Sequence, residues 1–306
     1  MLIFIVGFIL FFMGLEGSKL CMKKLASLSI REKLKDLTDR SYLCLIGGII
    51  ITACLQSSSA VSIILIGLLE AEFIRLKPAL LVMLGANIGT TVTLQIISFP
   101  VLIYSPYLII LGLVFILFKI LKPQIRSEKF TYIGLILISF GVIFNGLNLM
   151  TAYFSNSRVK SIIFKLLTGR GNIAFIGIPV GAMITALFQS SSAVTGIVLT
   201  FLKSEIISLS KAVEIVIGTN LGTCITAFIA SINTGSEAKN LAMGHFLFNL
   251  WGTVIIILIF DYFTVLIINL EGTPSRNLAH AHTLFNIIMV LAILPFFRTI
   301  VRYLQN

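Results

Sequence analysis

Thr52-Ala53-Cys54-Leu55-Gln56-Ser57-Ser58-Ser59-Ala60-Val61 recurs 133 residues later as Thr185-Ala186-Leu187-Phe188-Gln189-Ser190-Ser191-Ser192-Ala193-Val194. Gly85-Ala86-Asn87-Ile88-Gly89-Thr90 recurs at the same offset as Gly218-Thr219-Asn220-Leu221-Gly222-Thr223. Over 48–93 and 181–226 the match needs no gap, and 21 of 46 positions are identical. Apolar composition alone pairs leucine with leucine. It does not reproduce Gln-Ser-Ser-Ser and Gly-x-Asn-x-Gly-Thr twice at one spacing. Weaker echoes precede the blocks: Thr38-Asp39-Arg40 with Thr168-Gly169-Arg170, and Gly14-Leu15 with Gly146-Leu147. The period is far longer than the roughly 20–50 residues of a solenoid repeat. Two long, hydrophobic, duplicated halves are the pattern of secondary transporters.

The surroundings of these blocks are apolar. The 306 residues are 58% hydrophobic and 11% charged, against about 45–50% and about 25% in soluble domains. A water-soluble single domain is excluded. Residues 1–15, 41–69, 78–118, 130–157, 171–202, 215–236, 240–260 and 277–297 carry no Asp, Glu, Lys or Arg. A hydrocarbon core of about 30 Å takes about 20 helical residues. The 78–118 stretch divides into two spans at Ser98-Phe99-Pro100 and Tyr104-Ser105-Pro106. Residues 1–15 lack a basic leading region and a small-x-small cleavage site, so a permanent span is expected there rather than a cleaved signal. The net charge of +11 reads as basic cytoplasmic loops, not nucleic-acid binding. Cys21, Cys44, Cys54 and Cys224 have no metal-ligand spacing and read as small apolar packing residues.

The polar blocks fall within the apolar stretches. As one straight helix, 42–69 would be about 42 Å long, more than the hydrocarbon core. As two half-helices of about 18 Å each, it forms a re-entrant hairpin with Gln-Ser-Ser-Ser at a tip near the midplane. The second half-helix is expected to start just after Ser59, with serines at its N-cap and its amide hydrogens and positive dipole end aimed at the tip. That is an anion site. Residues 172–202 repeat the arrangement. Gly85 and Gly89 in 78–98, like Gly218 and Gly222 in 212–232, suggest broken helices. Unwound backbone survives in a membrane only where it lines a cavity or is buried in protein. Its freed carbonyls, with the Thr90 and Thr91 hydroxyls, would be hard ligands for Na⁺. The same glycines also fit close helix packing at small-xxx-small spacing.

With both hairpins re-entrant, the spans run roughly 1–18, 78–98, 102–121, 131–150, 212–232, 241–260 and 279–299. Three crossings separate the starts of the two halves, which makes the halves inverted. With the amino terminus outside and the carboxyl terminus inside, 16 of the 23 Lys and Arg residues lie inside, as the positive-inside rule favours. Arg158, Lys160, Lys165 and Arg170 run against the rule. They read either as a solvated outer loop or as a device that concentrates anions.

At these residues the chain resembles the sodium/phosphate cotransporter family, the bacterial relatives of the vertebrate type II cotransporters. Both motif pairs of that family are complete. Lys239-Asn240-Leu241-Ala242 with His245 and Phe248-Asn249, and Arg276-Asn277-Leu278-Ala279 with His282 and Phe285-Asn286, are also similar. The resemblance implies an all-α membrane protein of inverted repeats with two re-entrant hairpins and broken transmembrane helices. The first repeat is expected over 1–130, the second over 131–270, and a terminal span with a short tail over 271–306. It implies sodium-coupled symport of inorganic phosphate across the cytoplasmic (inner) membrane, not enzymatic catalysis. Gln56, Ser57, Ser58, Ser59, Gln189, Ser190, Ser191, Ser192, Asn87 and Asn220 would bind phosphate. Thr52, Thr90, Thr91, Thr185, Thr223, Gly85 and Gly218 would hold sodium, the coupling ion, with no other cofactor. Membrane lipid surrounds the chain, and a homodimer stays open.

Three further readings concern isolated side chains and rival classes. His245, His280 and His282 lie in apolar stretches and read as hydrogen bonds between helices, or, for His280, a position near a span end, rather than as proton relays. Glu70, Glu72 and Glu205 follow the hairpins and suit hydrogen bonding at the hairpin ends. A hydrolase would need an activated serine with a base and an orienting group; the serine triplets have no His, Asp or Glu nearby in sequence. No Gly-Lys-Ser/Thr follows the glycine block, which removes a nucleotide loop. The remaining rivals are an ion channel and a transporter of another oxyanion or a dicarboxylate.

Overall fold

The computed structural model describes residues 1–26, 41–99, 105–122, 128–155 and 175–305. The Thr38-Asp39-Arg40 echo, the loop bearing Arg158, Lys160, Lys165 and Arg170, and the first residues of the 172–202 stretch lie outside them. The described residues form α1 (Leu2–Ala26), α2 (Ser41–Leu55), α3 (Ser58–Glu70), α4 (Leu76–Ile97), α5 (Ser105–Leu121), α6 (Lys129–Phe154), α7 (Gly177–Phe188), α8 (Ser191–Lys203) and α9 (Leu209–Ser231). They continue as α10 (Ser236–Leu258), α11 (Phe260–Ile268), α12 (Pro274–Ile293), a 3₁₀ turn over Leu294–Phe296, and α13 (Phe297–Gln305). Six helical stretches among them are long and apolar enough to cross a membrane: the multi-pass character follows. The seventh expected span, α5, has 17 described residues.

Each Gln-Ser-Ser-Ser block interrupts a helix. Gln56 and Gln189 take left-handed backbone, at φ 50° and 52°. A left-handed residue cannot continue an α-helix, so α2 and α7 stop there and the chain turns. Ser57 and Ser190 then cap α3 and α8, their Oγ accepting from the amides of Ala60 and Ala193. The cap is therefore the first serine, not the third: the turn is completed within the glutamine. The other two serines enter the first helical turn, where amides have no intrahelical acceptor.

The second expectation fails. α4 and α9 are continuous through Gly85–Thr90 and Gly218–Thr223, so these transmembrane helices are not broken. The glycines instead let backbones touch. A Cβ on Gly85 would meet the Leu45 carbonyl oxygen, and one on Gly89 the Ile49 oxygen at 2.5 Å. Gly218 stands likewise against Ile178 and Gly222 against Ala182. Small residues give the close approach, and the helix keeps its hydrogen bonds.

These contacts also fix directions. Gly85 meets Leu45 and Gly89 meets Ile49, so α2 and α4 run parallel; α7 and α9 do the same. α1 and α6 run antiparallel, with Gly7 against Gly146 and Gly14 against Ser139. α4 and α12 are antiparallel: Ser98 meets Arg276, Gln95 meets Thr283 and Asn87 meets Met289. α10 and α12 are antiparallel too, since Gly252 lies on Met289 while Phe248 lies on Phe297 beyond it.

The outer faces of α1 and α5 are apolar and exposed, with Leu2, Ile5, Ile9, Ile110, Leu113 and Leu117 among them. α4 and α9 are central and mostly buried. Two glutamates at the hairpin ends, Glu72 and Glu205, are left-handed at φ 55°. They close α3 and α8 through paired bonds: Glu72 N donates to Leu69 O and Phe73 N to Leu68 O, repeated by Glu205 and Ile206. This is a Schellman cap. Glu70 Oε1 accepts from Gly235 N at 2.7 Å. The four cysteines form no disulfide among the described residues, and Cys21, Cys44 and Cys224 are buried.

Candidate functional site

The duplicated motif blocks and one further pair of similar segments carry many of the buried polar side chains. In the first hairpin tip Gln56 is 1% exposed. Its Oε1 accepts from Ser18 Oγ of α1 at 3.3 Å, and its Nε2 has no partner. In the second tip Gln189 is exposed. Ser59 Oγ accepts from Thr226 Oγ1 of α9 at 3.2 Å, so α3 of the first half reaches the long helix of the second. α8 packs correspondingly against α4.

Buried polar atoms normally find partners, because an unmade bond costs about 1–3 kcal/mol. Among the described residues, the buried side-chain atoms without one are Thr52 Oγ1, Gln56 Nε2, Thr93 Oγ1, Thr185 Oγ1, His245 Nδ1, His282 Nδ1 and Asn277 Oδ1. Thr52, Gln56 and Thr185 belong to the duplicated tip blocks. Thr52 and Thr185 are equivalent, each 0% exposed, and each lies beside a glycine of the facing long helix, Gly89 or Gly222. Most other buried helical threonines here bond a carbonyl one turn back. Thr90 Oγ1 donates to Ala86 O, Thr91 to Ile88 O and Thr223 to Asn220 O, at 2.7–2.8 Å. Their oxygen lone pairs remain available.

Each tip thus joins two helix ends of opposite polarity. α2 and α7 terminate there with carbonyls to which no following helical turn donates, beside a threonine hydroxyl with no partner among the described residues. α3 and α8 begin there with the amides of Ser58, Ser59, Ser191 and Ser192. The first set suits a hard cation and the second an anion. With α4 and α9 unbroken, the backbone carbonyls of Gly85 and Gly218 stay within helix, and the premise that made them sodium ligands is lost.

Asn87 and Asn220 are drawn elsewhere. Asn87 Oδ1 lies 3.2 Å from His245 Nε2, and its Nδ2 donates to Asn249 Oδ1 at 3.5 Å; Asn249 Nδ2 donates back to His245 O at 2.8 Å. Asn220 repeats this closed ring with His282 at 3.1 Å and Asn286 at 2.8 Å, and Asn286 Nδ2 donates to His282 O. The rings join α4 to α10 and α9 to α12. The interhelical reading of His245 and His282 holds. The repeated Asn-Leu-Ala-x-x-His-x-x-Phe-Asn spacing was the signal for these rings, since His and Asn four apart share a helix face.

One tie between helices had no sequence signal. Glu214, 5% exposed, accepts from Gly177 N at 3.0 Å and from Lys211 Nζ at 2.7 Å, pinning the start of α7 to α9. The equivalent residue of the first half is Leu81. Arg276 plays a similar part for α4: its Nη1 donates to Gln95 O and Ser98 Oγ, and its guanidinium lies 4.0 Å from the Phe99 ring centroid.

Comparison with known proteins matches one family model, described as Na+/Pi-cotransporter, over residues 10–152 and again over 153–294. The chain is 30% identical over 303 residues to "Uncharacterized protein YqeW" of Bacillus subtilis, covering 96% of this chain and 94% of that protein. It is 27% identical over 280 residues to "Putative inorganic phosphate export protein YjbB" of Salmonella typhimurium, covering 90% of this chain and 50% of the relative. It is 34% identical over 85 residues to rat "Sodium-dependent phosphate transport protein 2C", covering 26% of this chain and 14% of the relative. The chain therefore spans about half the length of the export relative and a small part of the mammalian one. No solved structure matches it.

Proposed function

The chain belongs to the Na+/Pi-cotransporter family, and from that membership we propose sodium-coupled symport of inorganic phosphate across the cytoplasmic membrane. The observation that carries this reading is the pair of equivalent helix breaks, each with carbonyl ends and an unpartnered threonine on one side and capped, serine-lined amide ends on the other.

Phosphate is assigned to Gln56, Ser57, Ser58 and Ser59 with Gln189, Ser190, Ser191 and Ser192. Sodium is assigned to Thr52 and Thr185 with the closing carbonyls of α2 and α7, assisted by Thr90, Thr91 and Thr223. Asn87 and Asn220 hold the long helices in register through their histidine rings. The motif blocks contain no Lys or Arg. Burying a bare divalent oxyanion in low dielectric is prohibitive, so sodium must neutralise it. Each ligand then raises the affinity for the other by the same factor. A loaded site can move, and a half-loaded one is held by its charge.

Re-entrance is supported by helix direction. α2 and α4 run parallel with only α3 between them, so α3 must carry the chain back; a continuous crossing through α2 and α3 would make α4 antiparallel to α2. Inversion is supported in the same way. α4 opposes α12, α12 opposes α10, and α10 opposes α9 across the short turn before Ser236. The equivalent helices α4 and α9 therefore point in opposite directions, as do α1 and α6. On this reading the halves are 1–130 and 131–270, with 271–306 as the terminal span, the amino terminus outside and the carboxyl terminus inside. Net direction follows the combined gradients, which accommodates both export and import.

The test is entry of labelled phosphate into proteoliposomes. An inward Na⁺ gradient is expected to drive accumulation, and choline replacement to remove it. Equal uptake in choline would refute the coupling. Labelled phosphate entry inhibited by sulfate or a dicarboxylate at far lower concentrations than by unlabelled phosphate would refute the substrate, and sodium current with no saturable phosphate flux would mark a channel.

A further inference from the structure

The gapless match ends on Thr93 and Thr226, residues that the motif blocks do not include. Their surroundings differ. Thr226 Oγ1 bonds Thr223 O at 2.8 Å and reaches across the repeats to Ser59 Oγ at 3.2 Å. Thr93 Oγ1, on a residue 2% exposed, has no partner among the described residues, although α8, which begins at the equivalent serines, packs against α4. The tips differ in the same sense: Gln56 is buried and held by Ser18, while Gln189 is exposed. The first tip made its cross-repeat bond and buries its glutamine. The second did not and exposes its glutamine, although its Ser191 and Ser192 are buried.

We propose that Thr93 and Thr226 are alternating positioning residues, the Thr226–Ser59 bond holding the first tip shut and a Thr93–Ser192 bond replacing it when the second tip shuts. This rests on the transport reading, in which exchange of open tips is the access change. The two states contain the same chemistry with the roles of the halves exchanged, so neither bond dominates by composition. Such paired, discrete arrangements make a two-state element, and loss of one bond shifts its population toward the other state.

The test is cysteine labelling of the full chain in lipid nanodiscs, where both faces are open to reagent. The four native cysteines are replaced, and Gln56→Cys or Gln189→Cys is introduced singly. In the parent, the position-189 thiol is expected to react faster than the position-56 thiol. Thr226→Val lowers that rate ratio about tenfold, the order carried by one hydrogen bond. Ser59→Ala, which removes the other partner, lowers it equally, Thr226→Ser leaves it at the parent value, and Thr93→Val raises it. An unchanged ratio in Thr226→Val and Ser59→Ala, or shifts of one sign in both valine variants, would overturn the proposal. Labelling needs neither phosphate nor sodium. The predicted shifts in a chain that carries no phosphate would therefore support the switch and remove the substrate reading.

Discussion

Gln56→Ala and Gln189→Ala each reduce phosphate uptake by about 100-fold, with the protein still present in the membrane. The magnitude follows from losing a hydrogen bond to a charged ligand, about 1.5–3 kcal/mol. Gln56 Nε2 is buried and has no partner among the described residues, which leaves a donor for a ligand. Backbone strain is separable from this effect. Both glutamines are left-handed, a conformation glycine adopts freely. Gln56→Gly relaxes the backbone while removing the amide and is expected to be as inactive as Gln56→Ala. Uptake in purified, quantified protein decides: near-normal rates in the alanine variants of both tips would end the assignment of these residues to phosphate.

Gly85→Ala and Gly218→Ala destabilise the fold rather than altering sodium affinity selectively. The new methyl group runs into the carbonyl oxygens of Leu45 and Ile178, which are backbone atoms and cannot rotate away. Overpacking of this kind costs about 1–3 kcal/mol, and more where backbone must move. Gly67, also helical, has nothing within 4 Å of an added Cβ, so Gly67→Ala is expected to be neutral or to stabilise by up to about 1 kcal/mol. Thermal aggregation followed by size-exclusion chromatography compares the three. Full thermal stability in Gly85→Ala, accompanied by a raised sodium requirement, would favour the carbonyl-ligand role over packing.

The sequence carried the architecture where the signal was local or duplicated. A glutamine followed by serines inside an overlong apolar stretch told of a break and a cap, because capping depends on neighbours along the chain. It misplaced the cap by two residues, since the left-handed glutamine, which completes the turn early, has no side-chain signature. The glycines were ambiguous for a different reason. Unwinding and close packing use the same residues at the same spacing, and only the partner helix tells them apart. For Gly85 that partner is Leu45, 40 positions away in the chain. The Asn-His-Asn rings were visible as spacings but not as contacts, and the tie from Glu214 to the start of α7 was invisible because that partner is a backbone amide. Thr93 and Thr226 could be found only as a failure of symmetry, which requires coordinates for both halves.

In the proposed mechanism sodium and phosphate neutralise each other between the two tips. Equilibrium binding of labelled phosphate to the purified protein, titrated with Na⁺ at constant ionic strength, measures this directly. Saturating Na⁺ is expected to tighten phosphate binding by a factor on the order of 10–100, and saturating phosphate to tighten Na⁺ binding by the same factor. Phosphate bound equally well with choline in place of sodium would contradict it.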